Sequence, residues 1–347
     1  MAKLGIGVLG WAHGHVQTYA SLIKDFDDAE LIMAWDHDEE RGQACAQNFG
    51  GGYSPDPADV LDNPDVQLVI VGAETNRHPQ VCVAAANAGK DIILQKPMAL
   101  SLEGCDAIIE AVERNGVWFS MAFQMRYDAA NLKMKQMCDD GMLGKIGILR
   151  RRHCLNLLFN KDFFTGKTAW HVDPEQNMGM WMDDASHAAD YLYWMLGEPV
   201  SVMAEIDKTM TDVVFDETGV AIYRYPSGAM AILFNSSAMW ASESTTEIYG
   251  DRGVLIENYG DGVSTHLLPP HPVHVKYFDS QDPAKGWQDL GIPIPAGHGV
   301  RIQNVIRNML DEYKAGKVQC SARDGRVSTA MILAAYESAR EGRRVCL

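Results

Sequence analysis

Long apolar runs are missing from this 347-residue chain. A helix that crosses a bilayer needs about 20 consecutive apolar residues, so no membrane partner is expected. The first apolar run, Leu4–Leu9, is also too short for the core of an exported leader, and no small-residue cleavage site follows it. Paired cysteines are missing too. The seven thiols are odd in number and never form Cys-x-x-Cys, which excludes a disulfide framework or a zinc module and predicts reduced thiols in the cytoplasm. Positive charge is scarce: 30 Lys and Arg stand against 46 Asp and Glu, a net charge of -16. That balance argues against nucleic acid or an anionic membrane as the main partner. The dense basic run Arg150-Arg151-Arg152 lies in a strand-like segment, where local ion pairs are expected.

What remains is an ordinary globular composition, 47% hydrophobic and 22% charged, on a chain too long for one core. Two domains are expected. The first third alternates short apolar runs with helical stretches: 4–9 then 16–24, 31–35 then 39–48, 68–71 then 79–88, and 92–94 then 102–114. Continuous apolar runs suit strands buried on both faces, and their alternation with helices implies parallel crossover units. Residues 1–123 therefore predict an α/β, doubly wound parallel domain.

Residues 124–347 predict an α+β domain. Strand-like runs at 146–155, 200–206, 218–225, 229–234, 244–249 and 253–257, several joined by tight turns, indicate a mostly antiparallel open sheet. The span 261–295, rich in Pro, Gly and His, predicts an extended loop, and helices are expected at 300–314 and 326–341. A sheet with helices on one face leaves the other for a second copy of the chain, so a homodimer or homotetramer is expected.

The literal motif Gly5-x-Gly7-x-x-Gly10 is a decoy, because most of it lies inside the first strand. A pyrophosphate-binding turn must follow the strand, where helix-start amides face the ligand and small residues let the backbone approach. The register that meets this is Gly10, Trp11, Ala12, His13, Gly14 and His15. Gly10 makes the turn, Ala12 replaces a second glycine, and His15 occupies the place of a third. The second apolar run ends in Asp36, placed to accept hydrogen bonds from adenosine ribose hydroxyls and to repel a 2′-phosphate, which favours NAD over NADP.

The stretch from Asp65-Val66-Gln67-Leu68-Val69-Ile70-Val71, through Asn76-Arg77-His78-Pro79, to Ala88-Gly89-Lys90-Asp91-Ile92-Ile93-Leu94-Gln95-Lys96-Pro97 resembles the Gfo/Idh/MocA family of dehydrogenases. The segment 179–190 resembles its catalytic helix, and Glu247-Ile248-Tyr249-Gly250-Asp251-Arg252-Gly253 its sheet turn. The resemblance implies a Rossmann domain, a sheet-bearing second domain that commonly mediates assembly, and NAD(P)-dependent chemistry on sugars, inositols and related compounds. It implies Lys96 as the catalytic-site lysine before a cis proline, with Gln95 standing where the family has Glu. It also matches Asp183 and His187 to the helix residues, and Thr75, Asn76, His78 and Gln124 to positions beside the cofactor; Glu74 replaces a usual proline. Met125 and Arg126 align near the nicotinamide and substrate, and Asn156, Trp170 and His171 are substrate-contact candidates.

Asp183, His187 and Asp190 stand at i, i+4 and i+7, hence on one helical face. Such a stripe is ordinarily a solvated face. Here Met180, Trp181, Met182, Tyr191, Leu192 and Trp194 flank it, so the helix is expected to be buried and its charges to need partners. Alcohol oxidation requires one group to take the hydroxyl proton as hydride leaves the same carbon, and histidine suits that near neutral pH. Lys96 would hold the developing alkoxide, and Asp183 would orient His187 or bind a substrate hydroxyl. No metal is expected: Lys96 can supply the positive charge, and His266, His271 and His274 read as a loop over the substrate mouth or at a subunit contact. The same residues would also serve a glycosidase or epimerase with an internal NAD redox cycle, or sit in a non-catalytic NAD-binding regulator.

Overall fold

A computed structural model describes residues 3–240, 245–259 and 272–347. Its first elements are β1 (Leu4–Leu9), α1 (Gly14–Ile23), β2 (Ala29–Trp35), α2 (Glu39–Phe49), β3 (Gly52–Ser54), α3 (Pro57–Leu61), β4 (Leu68–Val71), α4 (His78–Asn87), β5 (Asp91–Leu94), α5 (Leu102–Asn115) and β6 (Phe119–Met121). There follow α6 (Ala129–Asp139), β7 (Ile146–Cys154), α7 (Lys161–Thr165), α8 (Pro174–Asn177), α9 (Met180–Leu196), β8 (Ser201–Asp207), β9 (Thr218–Arg224), β10 (Met230–Ser236), β11 (Thr246–Gly250), β12 (Gly253–Glu257), β13 (Val275–Asp279), β14 (Trp287–Asp289), α10 (His298–Lys314), α11 (Ala322–Glu341) and β15 (Val345–Cys346). No described helix is long and apolar enough to cross a membrane.

The chain divides into two compact units, and the first comprises 1–123, 173–177 and 302–326. Its strands pair in parallel in the order β3-β2-β1-β4-β5-β6, the doubly wound arrangement that alternating apolar runs predict. All four residues of β4 are buried, as a strand covered by helices on both faces requires. The glycines of the decoy motif serve packing: a Cβ on Gly5 would overlap the Asp65 carbonyl oxygen. Residues 173–177 and 302–326 fall in the span that patterning gives to the second domain, yet they pack here. Edge strand β6 is closed by the later segment, with Met121 donating its N–H to Cys320 O at 2.8 Å and Trp118 Nε1 donating to Lys317 O at 2.8 Å. Covering an exposed edge this way removes an aggregation-prone ladder.

The second unit comprises 124–172, 178–301 and 327–347. Among the described residues its sheet has the order β14-β13-β12-β11-β7-β10-β9-β8-β15, antiparallel except for the parallel β7/β10 pair. The span 261–295 is not wholly a loop: β13 and β14 extend the sheet there. Three to five residues with mixed polar content carry little periodicity, and pairing with β12 is what makes them strands. On one face of this sheet lies α9, packed on β10 and β7. Every residue of α9 from Met180 to Leu192 is buried. The Arg150–Arg152 run alternates across the sheet, with Arg150 paired to Glu247 at 2.6 Å and Arg151 to Glu257 at 2.7 Å.

Candidate active site

In the first unit the turn after β1 runs from Gly10 into α1. Gly10 has φ +92°, and a Cβ there would stand 2.5 Å from the Ala73 nitrogen, so only glycine fits without displacement. The turn is fastened on both sides: Gly10 N–H donates to Trp35 O at 2.8 Å and His13 N–H to Gly72 O at 3.0 Å. His13 caps α1, its Nδ1 accepting from His15 N–H, and no acidic side chain lies in the first turn of that helix. At Gly14 nothing lies within 4 Å of where a Cβ would project. An open approach at the positive end of a helix fits a pyrophosphate. Trp11 is fully buried, stacked 5.8 Å from Phe49, and Ala12 is buried beside it.

Asp36, at the end of β2, is 1% exposed. Its Oδ2 accepts from Trp11 N–H at 2.7 Å and Arg41 Nε at 2.8 Å, and its Oδ1 accepts from Asp38 N–H at 2.9 Å and Arg41 Nη2 at 2.7 Å. The same Nη2 donates to Glu74 Oε1 at 2.9 Å. A mostly apolar cavity of about 130 Å³, lined in part by Leu9, Trp35, Leu61, Arg77 and Val81, shares Arg77 with this cluster.

The loops after β4 and β5 are tied together by His78, whose Nδ1 lies 2.8 Å from Pro97 O and Nε2 3.0 Å from Ala73 O. Burial lowers its pKa, while the Pro97 and Ala73 carbonyls favour the charged ring. Thr75 is fully buried and donates to Asn177 Oδ1 at 2.6 Å, whereas Asn76 is exposed. Gln95 and Lys96 are buried at the strand end, and the Lys96–Pro97 bond is cis. Burial pushes the neighbouring Tyr19 phenol well above its ordinary pKa.

In the second unit α9 places the ionisable residues. Its N-cap position is Gly179, where a Cβ would overlap the Asp216 carboxylate. Asp216 accepts from Met180 N–H at 3.1 Å and Trp181 N–H at 3.0 Å, and the Tyr336 hydroxyl donates to the same carboxylate while accepting from Met182 N–H at 3.0 Å. A distant side chain thus satisfies the orphan amides of the helix start.

One turn in, Asp183 Oδ2 meets His171 Nδ1 at 2.6 Å. The His171 ring stacks on Trp170 at 3.7 Å and on Phe163 at 5.3 Å. His187 is buried, its ring 5.4 Å from that of His153 on β7. Asp190 is engaged elsewhere, holding Arg126 bidentately at 2.9 and 2.7 Å and accepting from Ser328. Arg126, 3% exposed and lying over the Tyr193 and Trp194 rings, is therefore bound into a buried ion pair. Gln124 is buried, and Asn156 is half-buried just after β7.

Sequence patterning did not single out Asp216, Tyr336, His153 or Asn235. His153 had a signal, since it alternates with Arg151 on the inward face of β7. Asn235 lies opposite it in the β7/β10 register, with both carboxamide atoms buried and without hydrogen-bond partners among the described residues. Of the loop histidines, His266 and His271 lie outside the described residues. His274 is a correction: it is buried and pairs with Glu257 at 3.6 Å. Burial opposes its cation, but the Glu257 carboxylate raises its pKa. Burial likewise opposes the Glu257 anion, and Arg151 overrides it, leaving a pKa of about 2. His274 belongs to this buried ionic cluster.

Residues 4–123 match the oxidoreductase family with an NAD-binding Rossmann fold, and residues 131–256 match the Gfo/Idh/MocA C-terminal domain. The chain belongs to the Gfo/Idh/MocA family. It is similar to myo-inositol 2-dehydrogenase of Thermotoga maritima, 26% identical over 283 residues that cover 76% of this chain and 80% of that one. It is also similar to the NAD(+)-linked scyllo-inositol 2-dehydrogenase of Bacillus subtilis, 25% identical over 262 residues covering 73% and 72%. A levoglucosan dehydrogenase solved with NADH and levoglucosan superimposes with a TM-score of 0.83 at 22% identity, covering 100% of this chain and 99% of that one, and shares its fold. As a Gfo/Idh/MocA member the chain is an NAD-binding oxidoreductase, and the turn at Gly10–Gly14 has the open, helix-start geometry that such a cofactor needs.

Proposed function

We propose that this oxidoreductase moves a hydride between NAD and a hydroxyl-bearing carbon of a sugar, inositol or related polyol. The observation that carries the proposal is the buried acid–base group at α9: Asp183, joined at 2.6 Å to His171 from the segment before the helix, and His187 one turn further along, both in the stretch Met180–Leu192 that is buried throughout. Ionisable groups held in such surroundings are costly unless they serve as partners or catalysts. NAD, when bound, supplies the two-electron acceptor. His187 takes the hydroxyl proton on an imidazole nitrogen as the carbon loses hydride, and Lys96 holds the developing alkoxide. Asp183, oriented by His171 and by the stacked Trp170 and Phe163 rings, binds a neighbouring substrate hydroxyl. The names of the inositol dehydrogenase relatives support the same substrate class. The test is absorbance of reduced nicotinamide across a panel of inositols, aldoses and sugar alcohols, with NAD and NADP compared. At least one polyol should reduce NAD, and NAD should be preferred. A protein that binds NADH yet oxidises no member of the panel would overturn the reading.

We also propose a homodimer or homotetramer built on the sheet face away from α9. Directly opposed residues share a face, so Ile222 and Ile232, Val220 and Phe234, and Ile148 and Tyr249 form one surface. Ile148, Val220, Ile222, Tyr249 and Trp287 are each exposed there, an apolar area of the kind that a second copy covers. The seven cysteines carry no disulfide, in keeping with a reducing, cytoplasmic setting.

A further inference from the structure

The Asp36 carboxylate has about four lone-pair sites, and four protein donors already use them: the Trp11 and Asp38 amides and two nitrogens of Arg41. The two amides are fixed by the backbone, so a ribose hydroxyl gains access to Asp36 when Arg41 withdraws. A guanidinium set loose at this position is the group that would take a 2′-phosphate, through charge-assisted bonds. Glu74 decides where it goes. Glu74 is 3% exposed and already accepts from Arg41 Nη2 at 2.9 Å, while His37 Nδ1 and Arg77 Nε stand 3.4 and 3.6 Å from its other oxygen.

We infer that Glu74 is a specificity-determining residue: it retains Arg41 when Asp36 turns to the ribose hydroxyls and so keeps that cation from the 2′-phosphate of NADP. The inference rests on the NAD preference given above. Asp36 supplies the positive selection for the free ribose, and Glu74 removes the nearby group that would reward the wrong cofactor. Neither residue is needed for hydride or proton transfer, so the effect belongs to binding.

Dissociation constants for NADH and NADPH, measured by calorimetry on the parent protein, Glu74→Gln, Arg41→Met and the double variant, test this, with thermal melting to establish folding. Glu74→Gln keeps the shape of the side chain and removes its charge. It should improve NADPH binding relative to NADH by about tenfold, the scale of one charge-assisted contact. The gain should vanish in the double variant, because Arg41 is its source, and Arg41→Met alone should widen the preference for NADH. A Glu74→Gln ratio within about twofold of the parent, or a gain that survives removal of Arg41, overturns the inference. Should Glu74→Gln fail to fold, Glu74→Met, which also removes the charge at similar length, carries the same test, and a ratio within about twofold of the parent there is refuting. A parent protein that prefers NADPH refutes the NAD reading itself, which the change between variants leaves separate.

Discussion

Replacing Asp216 should loosen the helix that carries the proposed acid–base residues, although Asp216 itself is expected to touch neither substrate nor cofactor. In Asp216→Ala the amides of Met180 and Trp181 lose their acceptor in a fully buried setting, and the Tyr336 hydroxyl loses one as well. Each stranded buried donor costs about 1–3 kcal/mol. Partial relaxation and removal of a buried charge offset some of this, leaving about 3–5 kcal/mol. At about 2–4 °C per kcal/mol for a unit of this size, melting should fall by about 6–20 °C. Asp216→Asn retains one acceptor and places an NH₂ against the other donors, so about 1–3 kcal/mol is expected. Denaturation by urea and by heat, followed by far-ultraviolet circular dichroism, measures both. An Asp216→Ala protein within about 1 kcal/mol of the parent refutes the capping role.

The pH dependence gives a second check. Burial raises the Asp216 pKa above its ordinary 3.8 even though Tyr336 and two amides favour the anion. For a raised carboxyl the folded state holds its proton longer than the unfolded state. The stabilisation is therefore fully present below the unfolded value and is lost as pH rises through the folded value. Asn does not titrate. The stability gap between the parent and Asp216→Asn should accordingly be widest at acid pH and shrink towards neutrality, and a gap that grows with pH contradicts the argument.

Changing Lys96 to Met, or His187 to Asn, should lower turnover by about a hundredfold or more while calorimetric NADH affinity stays nearly intact; near-normal turnover removes the role from that residue, and collapse of NADH binding in the His187 variant makes the histidine structural. Ile222→Glu, on the exposed sheet face, should lower the oligomeric state in sedimentation velocity, and a parent that is monomeric at micromolar concentration refutes the proposed interface.

The fold was legible where burial leaves a periodic mark. Strands β1, β2, β4 and β5 each contain a continuous apolar run, and α9 and α11 carry enough turns for their faces to show. What was not legible are β3, β13, β14 and β15, whose two to five residues become strands only through a neighbour. The segment 302–326 was recognised as helical at its start, but a helix does not announce which sheet edge it will cover.

The site divides along a similar line, between residues known by their own chemistry and residues known only by their partners. Lys96, Asp183 and His187 stand in motifs, and His171 was a candidate, yet only the coordinates join His171 to Asp183. Asp216 reaches the start of α9 from 36 residues away, and Tyr336 from 154, so no local spacing could announce them. Arg126 shows the converse. A strand-end arginine beside a cofactor segment suits an anionic or hydroxylated ligand, but Asp190, on the same helical stripe as Asp183 and His187, takes both of its fork positions. The stripe is therefore divided: Asp183 and His187 face His171 and His153, while Asp190 anchors a buried cation, and removing Asp190 would strand that charge at a cost of about 3–5 kcal/mol. Arg41 was overlooked for the opposite reason. On the first turn of α2, beside Glu39 and Glu40, it reads as part of a solvated face, and only its contacts with Asp36 and with Glu74, 33 residues later, turn it into part of the buried cluster at the end of β2.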